Sequence, residues 1–332
     1  MKRSFIIKCL LLYCILLVGV KAHAQKVGLL MDSYVMDRWQ SDQKLFCDKI
    51  TELNGEYVVE VAYGDAKEQT RLAQKLIEEG VKVLVLVPVD AKEAANIAAI
   101  CKKASVPLIS YDRLVSSKDV SLYLSYDNEK VGILQATAAV NAVPKGNFLL
   151  VNGPVSDNNA ILFRRGQLKV LDPLMKKGKV NILKDIVLQD WGQLPALMAM
   201  TEFNSANDKK IDCVIAANDA VAIGVISAMN DQDESKNIFI TGQDADHEAL
   251  INIIKGYQNM TVYKPIKPLA ELAAQCALKM ARGETVENTT SLTSGGVTVK
   301  AILLDPVKVD KSNYKSTVVK DGHIELSELM DH

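Results

Sequence analysis

Residues 81–113 read VKVLVLVPVDAKEAANIAAICKKASVPLISYDR, and this stretch decides the fold. A continuous β-branched and aliphatic run, Val81 to Val87, is followed by Asp90, by a helical pattern from Ala91 to Lys103, and by a second apolar run from Pro107 to Tyr111 that ends in Asp112 and Arg113. Strands without polar alternation are buried on both faces, so the unit is strand, covering helix, parallel strand. The same rhythm extends along the chain. Strand candidates are Lys26 to Met31, Tyr57 to Ala62, Asn147 to Val151, Val180 to Val187, Asp212 to Ala216, Asn237 to Thr241 and Met260 to Tyr263. Helical patterns lie between most of them, such as Ala66 to Glu79 with Leu72, Ala73, Leu76 and Ile77 on one face. The fold class expected is α/β, with doubly wound parallel sheets.

Nine or ten strands exceed one sheet of usual width, so two sheets of roughly five strands each are the economical arrangement. The total of 332 residues agrees, being more than twice the usual single-domain size. No Pro/Gly/Ser linker separates the halves, which implies several tight crossings. The first is expected near Tyr126 to Lys130, where a strand gives way to a helix around Val131.

Polar residues follow the strands repeatedly: Asp32, Asp90, Asp112, Asn152, Asn218 and Asp244. Open α/β sheets bind ligands beyond the carboxyl ends of their strands. Asp and Asn are also ordinary helix caps, but six in this position point to a polar site.

Composition narrows the chemistry. Hydrophobic residues make up 48% and charged residues 24%, so the chain buries a sizeable core. Thirty-nine basic and 40 acidic residues nearly cancel, and no basic cluster suggests a phosphate-tracking groove, so nucleic acid is not an expected partner. Residues 1–24 pair a basic start (Lys2, Arg3) with an apolar run from Cys9 to Val20 and end in Ala22, His23, Ala24. This is the pattern of a secretory signal peptide, with cleavage expected after Ala24 and a soluble product outside the cytoplasm. Of six cysteines, Cys9 and Cys14 leave with it; Cys47, Cys101, Cys213 and Cys276 lie far apart in apolar stretches and read as buried free thiols rather than disulfides.

Catalytic motifs are missing. The first strand runs into Asp32, Ser33, Tyr34 with no glycine to admit a pyrophosphate, and there is no P-loop, G-x-S-x-G elbow, C-x-x-C or H-E-x-x-H. No cofactor, metal or enzymatic activity is expected. The residues after the strands instead suit a neutral polyol: planar Asp, Asn and Arg groups pair with hydroxyls, and an aromatic face covers the C–H side of a ring. The chain supplies Asp37, Arg38 and Trp39, Asp112 and Arg113, Asp157 to Asn159, Asn218 and Asp219, Asp244, Lys264, and the second of its two tryptophans, Trp191.

At these residues the sequence resembles the sugar-binding type I periplasmic binding proteins. The resemblance rests on DRWQ (37–40), SYDNEKVG (125–132), DNNA (157–160), ANDA (217–220), GQDAD (242–246), TVYKP (261–265) and VVKDG (318–322), an ordered set spanning nearly the whole chain after residue 24. It implies two α/β lobes joined by three crossings, with a sugar enclosed between them: 25–130 plus about 265–298, and 131–264 plus about 299–332. The family's ligand contacts fall on Arg38, Asp112, Arg113, Asn159, Trp191, Asn218, Asp244 and Lys264, with Trp39 as a second stacking wall. The loop before DRWQ departs from the family by lacking an arginine around Val35. The implied ligand is a pentose, D-xylose first, carried in the periplasm to an ABC importer. A membrane sensor kinase is the alternative partner. A repressor sharing this core would need a DNA-binding segment ahead of Lys26, and export argues against one.

Overall fold

The computed structural model describes residues 25–34, 38–229 and 232–330. The signal peptide expected at 1–24, Val35 in the loop before DRWQ, and Asp37, its first residue, lie outside these.

The chain builds two α/β lobes. In the first, β1 (Lys26–Met31), β2 (Glu56–Val61), β3 (Val83–Leu86), β4 (Leu108–Tyr111) and β5 (Leu122–Tyr126) are all parallel. They join β11 (Thr290–Ser294) and β12 (Val297–Leu304) in the order β11-β12-β5-β4-β3-β1-β2, with only the β11–β12 edge pair antiparallel. The period of two along each strand divides the core. Val27, Leu29, Met31, Val83 and Val85 face α1 (Arg38–Glu52) and α9 (Ile266–Ala281), while Leu30, Leu84 and Leu86 face α2 (Ala66–Glu78) and α3 (Ala95–Lys103). Both faces are covered, as continuous apolar strands require.

The second lobe repeats the scheme on a parallel sheet ordered β7-β6-β8-β9, formed by β6 (Gly146–Asn152), β7 (Val180–Val187), β8 (Cys213–Ala216) and β9 (Phe239–Ile240). Helices α4 (Asn128–Ala142) and α5 (Asn158–Lys176) cover one face, and α6 (Gln193–Ala206) and α7 (Asp219–Ser227) the other. Beyond β9, the antiparallel pair β10 (Met260–Tyr263) and β13 (Val307–Asp310) carries α8 (His247–Lys255).

Three passages link the lobes. The chain leaves the first sheet at Tyr126 and enters α4 at Asn128, returns from β10 through Lys264 and Pro265 into α9, and leaves β12 for β13 through residues 305–306. The last passage falls beyond the border expected near residue 298, because Ala301 to Leu304 still pair with Tyr123 to Tyr126 in the first sheet.

Helices α4 and α5 meet backbone to backbone. A Cβ on Gly132 would lie 1.9 Å from the Phe163 carbonyl oxygen, and one on Gly166 2.0 Å from that of Glu129. This approach brings the amino ends of the two helices together, where Asn128 Nδ2 donates to Asn159 Oδ1 at 2.8 Å. Cys47, Cys101, Cys213 and Cys276 are buried free thiols, as expected. Among the described residues no group of three or more His, Cys, Asp or Glu side chains could hold a metal ion, and no helix is long and apolar enough to cross a membrane.

Candidate functional site

Between the lobes lies a small cavity lined by Arg38, Trp39, Asp112, Arg113, Asn159, Trp191, Asn218, Asp244 and Lys264, together with Asp157, Phe163 and Gln243. All nine residues that the resemblance implies as ligand contacts therefore converge. Their positions follow from the fold. Arg38 and Trp39 open α1, Asp112 and Arg113 follow β4, Asn159 begins α5, Asn218 caps α7, and Lys264 follows β10 at the second passage.

Arg38 organises the cavity. Its guanidinium donates from Nε to Asp42 Oδ2 at 3.2 Å and from Nη2 to Asp112 Oδ2 at 3.1 Å, both in its own lobe, and from Nη1 to Asp244 Oδ1 at 3.5 Å in the other. Lys264 Nζ stands 3.8 Å from Asp112 Oδ2 and 4.0 Å from Asp244 Oδ1. Arg113 bridges Asp32 Oδ2 at 2.7 Å and, across the lobes, Asp157 Oδ2 at 3.0 Å. Tyr111 Oη donates to Asp42 on its other oxygen.

Burial alone pushes the Asp112 carboxyl upward, but the combined attraction of Arg38, Lys264 and Arg113 outweighs it and holds Asp112 below the ordinary aspartate value. For Asp157 and Asp42 the balance reverses: burial outweighs the neighbouring arginine and leaves each raised. Three cations (Arg38, Arg113, Lys264) face five carboxylates (Asp32, Asp42, Asp112, Asp157, Asp244). This excess of acid over base disfavours an anionic ligand and leaves acceptors for hydroxyl donors.

Two of the carboxylates sit on unusual backbone. Asp112 has φ +59 and Asp244 φ +108, both in the left-handed half of conformational space that side chains other than glycine avoid. Asp112 is held there by its own carbonyl, which accepts from Tyr123 Oη at 2.9 Å, Ser125 Oγ at 2.7 Å and Asn159 Nδ2 at 3.3 Å. Such strain persists where the surroundings over-determine it, and it concentrates at binding sites.

Aromatic groups line the cavity as well. The Trp191 indole packs edge-on to Phe163 with centroids 6.0 Å apart and donates from Nε1 to Asp157 Oδ2 at 3.1 Å. It lies so close over Gly153 that a Cβ there would be 2.3 Å from the ring. Trp39 is almost wholly buried, with the guanidinium carbons of Arg38 and Arg113 at 4.6 and 5.4 Å from its centroid. Its Nε1, like Nε2 of Gln243, is a buried donor with no hydrogen-bond partner among the described residues.

Not every polar residue after a strand belongs to the site. Asp90 caps a turn through the amides of Lys92 and Glu93, and Asn152 donates to Asp185. Conversely, Phe163 and Gln243 line the cavity without having been singled out. Phe163 reads as one more apolar residue of a helix, whereas Gln243 lies inside the GQDAD segment and could have been found there.

Known proteins match along the same length. A family model described as a periplasmic binding protein domain matches residues 27–285. A D-xylose-binding periplasmic protein of Escherichia coli is 41% identical over 317 residues, covering 95% of this chain and 96% of that protein. One of the same description from Haemophilus influenzae is 41% identical over 303 residues, 91% of each. Among solved structures, a carbohydrate transporter solute binding protein of Chloroflexus aurantiacus in complex with D-glucose superposes with a TM-score of 0.84 at 27% identity, covering 92% of this chain and 98% of that one.

Proposed function

The chain belongs to the periplasmic binding protein family, and from that premise we propose that it captures a pentose, D-xylose first, between its lobes and delivers it to an ABC importer. It is a periplasmic receptor and not an enzyme, as its relatives are. A solved relative described as an ABC transporter solute binding protein favours an importer over a sensor kinase as the membrane partner. For residues 1–24 we propose a signal peptide cleaved after Ala24.

One observation carries the sugar reading: Arg38 joins Asp112 of one lobe to Asp244 of the other inside a cavity walled by Trp191. In the proposed complex Asp112, Asp244, Asn159 and Asn218 accept from or donate to ring hydroxyls, Arg38, Arg113 and Lys264 donate, and Trp191 and Trp39 cover the ring faces. Trp39 Nε1 and Gln243 Nε2 are further donors for the same ligand. Lobe closure follows from differential contact: a sugar touching both lobes stabilises the closed arrangement over an open one. The first lobe is proposed to comprise 25–126 and 266–304, and the second 128–263 and 307–332. Calorimetric titration with D-xylose, D-ribose, L-arabinose and D-glucose tests the function. Saturable binding with D-xylose tightest is expected, and no heat with any of the four would defeat it.

A further inference from the structure

Asp219 is fully buried, and no cation pairs with it among the described residues. Every bond it makes is to a neutral group. Oδ1 accepts from Gln258 Nε2 at 2.8 Å, while Oδ2 accepts from the Asp246 amide and from Thr261 Oγ1, each at 2.9 Å. Its own amide donates to the Gln243 carbonyl at 2.9 Å. Thr261 Oγ1 in turn accepts from the Ala245 amide at 3.2 Å.

These contacts grip the 242–246 loop on both sides of Asp244: Gln243 before it, Ala245 and Asp246 after it. Asp244 and Ala245 adopt φ +108 and +59, a pair of conformations the loop would relax without external anchors. The fit leaves no slack, since a Cβ on Gly242 would lie 1.9 Å from Asp219 Oδ1. Asp219 also adjoins Asn218, and Thr261 lies on the strand that leads into Lys264, so Asn218, Asp244 and Lys264 all sit on segments that this hidden carboxylate touches.

We propose that Asp219 is a positioning residue that fixes the Asp244 carboxylate for the sugar by pinning the loop on either side of it. The inference rests on the sugar reading above and assigns Asp219 no contact with the ligand. Asn replaces it in part: its Oδ1 accepts from Asp246 and Thr261, while its Nδ2 meets Gln258 Nε2, a donor already held by the Met260 carbonyl at 3.1 Å. Ala does not.

The test is calorimetric titration with D-xylose in a double-mutant cycle, with thermal melting as the check on folding. Asp219→Ala is expected to weaken binding by roughly tenfold or more, the scale of a lost buried hydrogen bond. Asp219→Asn, which keeps the acceptor for Asp246 and Thr261, is expected to restore part of that loss. Because Asp219 acts through Asp244, the penalty of Asp219→Ala should largely vanish in an Asp244→Asn background. Thr261→Val, isosteric and missing only the hydroxyl that links Asp219 to Ala245, should weaken binding in the same direction and covers the case in which Asp219→Ala does not fold. Equal penalties in both backgrounds, or unchanged affinity in a folded Thr261→Val protein, would overturn the inference. An unmodified protein that ignores D-xylose would instead overturn the sugar reading, and this inference with it.

Discussion

Arg113 Nε lies 3.0 Å from Asp157 Oδ2 across the lobes, while Nη1 of the same guanidinium lies 2.7 Å from Asp32 Oδ2 within its own lobe. One arginine thus ties the two lobes together through protein groups alone. The Asp157 carboxylate that receives it also caps α5 through the Asn159 amide and accepts from Trp191 Nε1. The contact between the lobes and the placing of the indole thereby share one carboxylate.

Asp157→Asn keeps a competent cap but removes the charge that Arg113 meets across the lobes. Binding of D-xylose is expected to weaken by ~1–3 kcal/mol, and the sugar-free protein to become more open in small-angle scattering. Unchanged affinity and unchanged dimensions would show that the pair contributes nothing to closure.

Trp191→Ala is expected to weaken sugar binding by about 1 kcal/mol or more while the melting temperature holds, since the indole is only half-buried. Gly153→Ala should weaken binding in the same direction without touching the ligand, because its methyl group would displace the ring. Equal affinity in both variants would remove Trp191 from the site.

Much of this arrangement is legible in the sequence because its cause is local. Aliphatic runs such as Val83 to Leu86 declare a strand buried on both faces, and the Asp or Asn that follows declares the end where ligands gather. What escapes depends on distant partners. Thr290 to Ser294 has the composition of a loop and becomes a strand only because β12 lies beside it. The carboxylate of Asp157 is visible as a polar residue before α5, but its double engagement by Arg113 and Trp191 arises only once the lobes meet.

Arg38→Met leaves Asp42, Asp112 and Asp244 around a cavity with Lys264 as the cation nearest Asp112 and Asp244. Sugar binding is expected to be lost and the fold weakened by roughly 3–5 kcal/mol at neutral pH. The depressed Asp112 carboxyl gives the sign: stability from its pairing is present above the unfolded value of 3.8 and is lost as pH falls through the lower folded value. The melting-temperature gap between the two proteins should therefore narrow on acidification. A gap that widened would contradict the pairing.

Asp219 gives the opposite sign. Burial, the largest cause, raises its carboxyl from 3.8 to about 7, aided by the nearby Asp244. The folded protein holds a proton that the unfolded chain releases, so this group's contribution to stability declines as pH rises from about 3.8 to about 7 and then levels off. Asp219→Asn has no such titration. Its melting temperature relative to the unmodified protein should climb over that interval, and a constant difference from pH 4 to 8 would contradict the assignment.

The most direct measurement is a crystal structure of the protein grown with D-xylose. The account predicts one pyranose ring between the lobes, lying against Trp191, with hydroxyls within hydrogen-bond distance of Asp112 on one side and Asp244 on the other. A sugar bound to an outer face, or a cavity whose Asp112 and Asp244 touch no sugar hydroxyl, would contradict it.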